Sequence, residues 1–271
     1  MKIISLQPSV SVILYRLGCL DSLAACTRYC LEAVPALREL DLPIVHDSWT
    51  TDVDELLPIH ADLIIASVPY QQESLAAILK SGQPVLALAP HTFADVISDI
   101  RHIAHIVNAP AKGEAVIMEM QAAMDAVQMR TKDIPSRPLV YCEEWGKPLI
   151  HSQPWVAKLV ETAGGKFLGN PGATTTLEAV ADAEPGVIIA AWCGAGNRVP
   201  LEKVIAQRNW QHLPAALEGR VYCISDELLN TPAPTLIDGL NALAQAIHPE
   251  VFGEPNEPSV RRMGQIPVSS V

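Results

Sequence analysis

Two patterns of apolar positions recur along the chain. Short apolar-rich runs at Ile3–Leu6, Leu23–Cys26, Pro43–His46, Leu63–Ala66 and Pro84–Leu88 predict strands in the first half. Between them, Val10–Leu17 and Gln71–Lys80 read as helices. A further helix starts at Asp52, where Glu55 follows three residues on in the manner of a cap. The second half repeats the rhythm. Leu139–Cys142, Val187–Ala191 and Arg220–Ile224 predict strands; Trp155–Ala163, Leu177–Ala183, Leu201–Gln207 and Thr235–Ile247 predict helices. Strands spaced by helices of this length imply α/β layers built on parallel sheets.

One stretch departs from the alternation. Ala111 to Lys132 holds no proline and a single glycine, Gly113, in a chain that has 22 prolines. Strong helix formers dominate it, and Val116, Met120, Ala123 and Val127 return at spacings of three and four on one helical face. Twenty-two residues of helix run roughly 33 Å. The stretch reads either as a strut joining two α/β halves or as a long surface helix within one domain.

The halves share a unit. Thr51–Ala66 aligns without gaps on Thr175–Ala190 at a constant offset of 124 residues, which points to a duplicated lobe. The alignment pairs Asp54 with Glu178, each in the first turn of its helix, where a carboxylate interacts favourably with the helix dipole. The sequence thus divides into an N-terminal α/β lobe over 1–108, a connecting helix over 109–134, a C-terminal α/β lobe over 135–252 and a polar, proline-bearing tail over 253–271, expected to be mobile.

Composition narrows the function. Nineteen Lys and Arg against 30 Asp and Glu leave a net charge of −11, which argues against nucleic acid as a partner. No run of 18 apolar residues occurs, so a membrane-spanning chain is not expected. The opening residues carry no apolar leader core, and six scattered cysteines read as reduced thiols. The expected location is the cytoplasm, or the periplasm if a leader has been trimmed from the sequence.

Several segments together resemble one family: I-I-S-L-Q-P-S-V-S-V-I-L at the start, the T-R-Y-C turn, D-S-W-T-T-D-V-D-E-L with A-D-L-I-I-A, W-V-A-K-L-V-E-T-A-G-G, and the closing E-G-R-V-Y-C-I. Over about residues 2–250 the chain is similar to the helical-backbone substrate-binding proteins of ABC importers that take up vitamin B12 and iron–siderophore chelates. The resemblance implies two Rossmann-like lobes with parallel sheets joined by one long α-helix, and a ligand held between them with small closure. It implies that Asp54 and Glu178 dock onto arginines of an ABC permease, and that Trp49 contacts a corrin ring. Tyr141-Cys142-Glu143-Glu144-Trp145 is more polar and aromatic than the corresponding segment of many members.

In α/β sheets, ligands sit beyond the carboxyl ends of strands. Candidate ligand residues are therefore Gln7, Pro8, Ser9, Arg28, Tyr29, Trp49 and Tyr70 in the first lobe, and Glu143, Trp145, Trp192, Cys193 and Asp226 in the second. Tyr29, Trp49, Tyr70, Trp145 and Trp192 all fall on strand ends; they either face a flat chelate or cap the core. Arg28 either clamps a ligand anion or pairs with a nearby carboxylate. Glu143 and Glu144 are adjacent on a strand, so they face opposite ways and one is expected at the ligand.

Cys26, Cys30, Cys142, Cys193, His46 and His151 form the candidate soft-metal set. Their only close pair is Cys26 and Cys30, and no C-x-x-C occurs; a single Cys or His also suits the axial position of a bound chelate. The sequence holds no G-x-G-x-x-G, no G-K-[ST] and no G-x-S-x-G, and Gly194-Ala195-Gly196 reads as a tight turn. No catalytic residue, resident metal or cofactor is expected. The leading expectation is a binding protein for a corrinoid or iron-siderophore-type chelate working with an ABC permease. The alternatives are a cytoplasmic metal-handling enzyme and a ligand-sensing partner protein on the same fold.

Overall fold

The computed structural model of the chain describes residues 1–67, 76 and 78–264. Two compact units emerge. One comprises Met1–Glu119 with Pro232–Pro234, the other Met120–Thr231 with the residues from Thr235 onward. The division falls inside a single continuous helix, Pro110–Thr131.

The first unit is built on five parallel strands, β1 (Ile3–Ser5), β2 (Leu23–Thr27), β3 (Ile44–Val45), β4 (Leu63–Ser67) and β5 (Val85–Leu88), in the order β3-β2-β1-β4-β5. Ile3 and Ile4 in the central strand are fully buried, the signature of a parallel strand covered on both faces. Ile4, Leu6, Ala25, Ile64 and Ala66 form a core with Leu56 and Ile78. Helix Pro8–Arg16 begins with proline at its first position, where a missing N–H costs nothing. Helix Phe93–Ile106 has no counterpart among the expected elements. Its Thr92 and Asp95 form a complete capping box, and Val96, Ile97, Ile100 and Ile103 make its buried stripe.

Gly113 is explained by its neighbour: a Cβ there would lie 2.4 Å from the Cβ of Ala104. Arg101 grips Glu114 across the same contact, with Nε to Oε1 at 2.6 Å. The buried face of the long helix is Val116, Ile117, Met120, Met124 and Val127. Ala123, expected on that face, is half-buried, and Met124 takes its place one position on.

The second unit carries a larger mixed sheet. β6 (Leu139–Gly146), β7 (Leu149–His151), β8 (Lys166–Phe167), β9 (Thr174–Thr175), β10 (Val187–Ala190), β11 (Val221–Ile224) and β12 (Val260–Arg262) run in the order β12-β11-β10-β6-β7-β9, with β8 beside β6. Pairings β6–β10, β10–β11 and β6–β8 are parallel; β6–β7, β7–β9 and β11–β12 are antiparallel. β6 runs four residues beyond its expected end at Cys142 because it turns back on β7 as a hairpin.

The repeated unit is real structure. Helices Val53–Leu56 and Leu177–Asp182 begin 124 residues apart, and so do β4 and β10. Their caps correspond as well: the Asp52 side chain accepts from Asp54 N, and Thr176 accepts from Ala179 N. Leu56 and Val180, equivalent positions, are both buried.

The tail departs from expectation. After the short helix Pro249–Phe252 that ends the expected lobe, Val260–Arg262 within the tail adds an antiparallel strand to the edge left open by β11. Arg261 and Arg262 anchor it. The Arg261 guanidinium donates to the carbonyls of Asn197 and Val199, and Arg262 donates to those of Glu218 and Gly219. These bonds hold a polar segment that lacks apolar residues enough to hold itself. Most of the predicted helix Gln71–Lys80, and the tail beyond residue 264, lie outside the described residues.

Candidate functional site

In the first unit the strand-end loops are tied to one another. Ser48 N and Oγ both donate to the Leu6 carbonyl at 3.1 Å, and Ser67 N donates to Ser48 Oγ at 3.2 Å. The loop of Trp49 is thereby fixed beside the Gln7-Pro8-Ser9 turn. Gln7 and Ser9 are buried and Pro8 half-buried, so this turn presents little side chain. Trp49 is 44% exposed, in a turn closed by Asp47 Oδ1, which accepts from the N–H groups of Trp49 and Thr50. Arg28, at the end of β2, is exposed. It donates to the Tyr29 hydroxyl at 2.6 Å and lies 4.6 Å over that ring, and among the described residues it meets no carboxylate in a hydrogen bond. Tyr70 falls outside the described residues.

In the second unit the structure resolves the two adjacent glutamates. Glu143 is 1% exposed and carries a bidentate ion pair, Arg208 Nη1 to Oε2 at 2.8 Å and Nη2 to Oε1 at 2.9 Å. It also accepts from Tyr141 OH at 2.5 Å and from Trp192 Nε1 at 2.7 Å. The expectation that Glu143 meets the ligand is therefore corrected: four donors consume its carboxylate, and a buried charge is tolerated only with such partners. Glu144 has a different partner: Gln153 Nε2 donates to it at 2.8 Å. Burial pushes its carboxyl above the usual range, against the Gln153 and Cys193 hydrogen bonds that lower it.

Trp192 is half-buried at the end of β10, its indole fixed by Glu143. Trp145 is 44% exposed, with Nε1 donating to the Lys147 carbonyl. Cys193 is exposed and touches both Glu144 and Asn230. Its thiol is pushed up to about 12 by its local desolvation, then by Glu144 and Asp226. Asp226 shapes this loop: its oxygens accept from Gly194 N at 2.7 Å and Gly196 N at 2.8 Å. Gly194 and Gly196 have φ of +75° and +55°, which glycine adopts freely. In a phosphate-binding loop such N–H groups would hold the ligand's anion; here a side chain already fills that role.

Sequence reasoning missed Arg208, Gln153 and Asn230. Arg208 ends the helix Leu201–Gln207, and nothing in its local pattern marks a buried guanidinium.

Among the described residues, no group of three or more His, Cys, Asp or Glu is arranged to hold a metal ion. Cys26 and Cys30 do meet. Burial raises the Cys30 thiol, but hydrogen bonds from Cys26, Ser11 and Thr27 outweigh that and draw it below its usual range. The Cys26 thiol is pushed up in return by its bond to Cys30. His151, buried against Tyr141 with ring centroids 5.4 Å apart, is held down by desolvation. One cavity of about 520 Å³ in the second unit, lined by Arg130, Asp238, Asn241, Gln245, Phe252 and Glu257 among others, contains no candidate residue. Its aromatic ring is already stacked, with the Arg130 guanidinium 4.0 Å over Phe252.

This arrangement, aromatic and polar side chains on strand-end loops of two α/β units, agrees with the comparison to known families. The family model described as "Periplasmic binding protein" matches residues 3–228. The chain belongs to the periplasmic binding protein family. Among curated members, the "Uncharacterized ABC transporter substrate-binding lipoprotein YvrC" of Bacillus subtilis is 24% identical over 265 residues, covering 93% of this chain and 82% of its own. The "Vitamin B12-binding protein" of Vibrio cholerae is 25% identical over 252 residues, covering 88% and 86%. In fold, the chain is similar to a periplasmic heme-binding protein from Pseudomonas aeruginosa, with TM-score 0.82, 20% identity and coverage of 96% and 97%. The vitamin B12-binding protein BtuF of Vibrio cholerae gives TM-score 0.71 at 22% identity over 91% and 96%. These relatives are named as periplasmic proteins or a lipoprotein, and the cytoplasmic expectation finds no support among them. Among the described residues no helix of this family member is long and apolar enough to cross a membrane.

Proposed function

We propose that this periplasmic binding protein captures a corrinoid or a related metal chelate and delivers it to an ABC permease. One observation carries the reading: Trp192, half-buried with its indole N–H held by Glu143, stands at the carboxyl end of β10, where α/β sheets bind ligands, and is proposed as an aromatic wall of the site. Trp145, 44% exposed in the same unit, supplies further flat surface, and Trp49, 44% exposed, is the candidate aromatic of the first unit. The curated relatives named for vitamin B12 support a corrinoid first, and a structural neighbour named for heme makes a related ring the next ligand to try. The enzyme reading has no support in the strand-end chemistry, where the glycine loop is closed by Asp226. The test is a calorimetric titration with cyanocobalamin, hemin and a ferric siderophore: saturable binding of at least one is expected, and silence across all three overturns the proposal.

Asp54 and Glu178 are the proposed docking residues. Both are exposed in the first turns of equivalent helices. Replacing both by arginine should abolish capture by the cognate permease while ligand affinity stays unchanged. Undiminished capture by the double variant would remove this role.

A further inference from the structure

Glu143 and Asp226 spend both oxygens on strong donors of the fold, whereas Glu144 spends one. Its Oε2 accepts from the Gln153 amide at 2.8 Å, which sets the plane of the carboxyl group. Among the described residues its Oε1 is met by the Cys193 thiol alone, 3.9 Å away. A thiol is a weak donor, and an arriving N–H replaces it at a gain. Burial holds the Glu144 carboxyl above its usual range, so a partly desolvated carboxylate stands to gain from a strong donor.

Most of the groups nearest to Glu144 are already engaged and leave little for a second carboxylate. Asp226 lies close enough to raise the Cys193 thiol together with Glu144. Arg208 is occupied by Glu143. The Asn230 amide donates to the Ala191 carbonyl at 2.7 Å and to Cys193 Sγ at 3.3 Å, and the Gln153 amide donates to Glu144 itself. The exposed Arg198 belongs to the same loop but donates to the Gly194 carbonyl at 3.4 Å, on the Asp226 side of Cys193 and not to Glu144.

We propose that Glu144 is a specificity-determining residue that accepts a hydrogen bond from a carboxamide N–H on the rim of the ligand, and so selects amide-edged chelates over carboxylate-edged ones. The proposal rests on the reading that the chain captures a ring chelate. A site built to accept an N–H rejects an analogue lacking it, because its own buried group is then left unpaired.

The experiment is calorimetric titration of the full chain at pH 7.5 with dicyanocobinamide and with isomers in which one rim amide is hydrolysed to a carboxylate. The wild type should prefer the amide form to at least one isomer by about 10-fold or more, and Glu144→Gln should shrink that preference to about 3-fold or less. Gln153→Leu, which leaves Glu144 charged but unoriented, should weaken the amide form without improving the carboxylate form; circular dichroism melts confirm that each variant folds. Equal affinities in the wild type, or an unchanged ratio in Glu144→Gln, overturn the proposal and leave ligand capture standing. Absence of binding by every corrinoid removes corrinoid capture itself and this proposal with it.

Discussion

The backbone of Gly146 lies directly against the indole of Trp192: a Cβ at position 146 would come within 2.6 Å of Cζ2 and 3.0 Å of Cε2. The β6–β7 hairpin and the end of β10 are therefore fitted to each other through a glycine and an aromatic ring. Gly146→Ala should strain this contact, because the same ring edge is held by the Nε1–Glu143 hydrogen bond and the indole can move away only by giving that bond up. The expected cost is about 1–3 kcal/mol, as for other overpacked sites, with a shift in tryptophan emission. Chemical denaturation of the variant checks it; a wild-type unfolding midpoint and spectrum would contradict the contact.

Arg208→Met tests the buried pair from the other side. It leaves Glu143 charged and enclosed, with Tyr141 and Trp192 as its remaining donors. Removing one member of a buried pair costs about 3–5 kcal/mol. Arg208→Met combined with Glu143→Leu should recover part of that loss, since no orphaned charge remains. Urea unfolding of the single and double variants measures the difference.

The framework of both units was legible because parallel strands are continuous apolar runs and their helices repeat every three or four residues. The repeat at offset 124 held down to the helix caps, since Asp52 and Thr176 announce their roles in the local sequence. The site was less legible. That one of Glu143 and Glu144 faces inward followed from strand alternation, but which one did not, because it depends on Arg208, 65 residues away. The order of the tail was hidden for the same reason: it comes from Arg261 and Arg262 reaching distant carbonyls, not from any apolar pattern of its own.

Asp99, on the helix Phe93–Ile106, is pushed up to about 6, by burial first, with Asp95 adding to it and His102 opposing. An acid whose native pKa exceeds its ordinary 3.8 holds its proton more tightly when folded. Its contribution is thus fully present below 3.8 and is lost as pH rises through about 6. Asp99→Asn should accordingly stabilise the chain at pH 7.5 by on the order of 1–2 kcal/mol, with the gain vanishing below pH 3.8. Paired unfolding curves at the two pH values decide; a difference independent of pH would contradict it.

The most direct test of ligand capture is equilibrium binding of cyanocobalamin and hemin to the wild type and to Trp192→Ala, followed by absorbance. Saturable binding with one ligand per chain is expected for at least one of the two. Loss of the indole wall should weaken it by about 2 kcal/mol or more, as for a central aromatic anchor. Binding of neither ligand, or equal affinity in the variant, would contradict the assignment of the β10 strand end as the ligand wall.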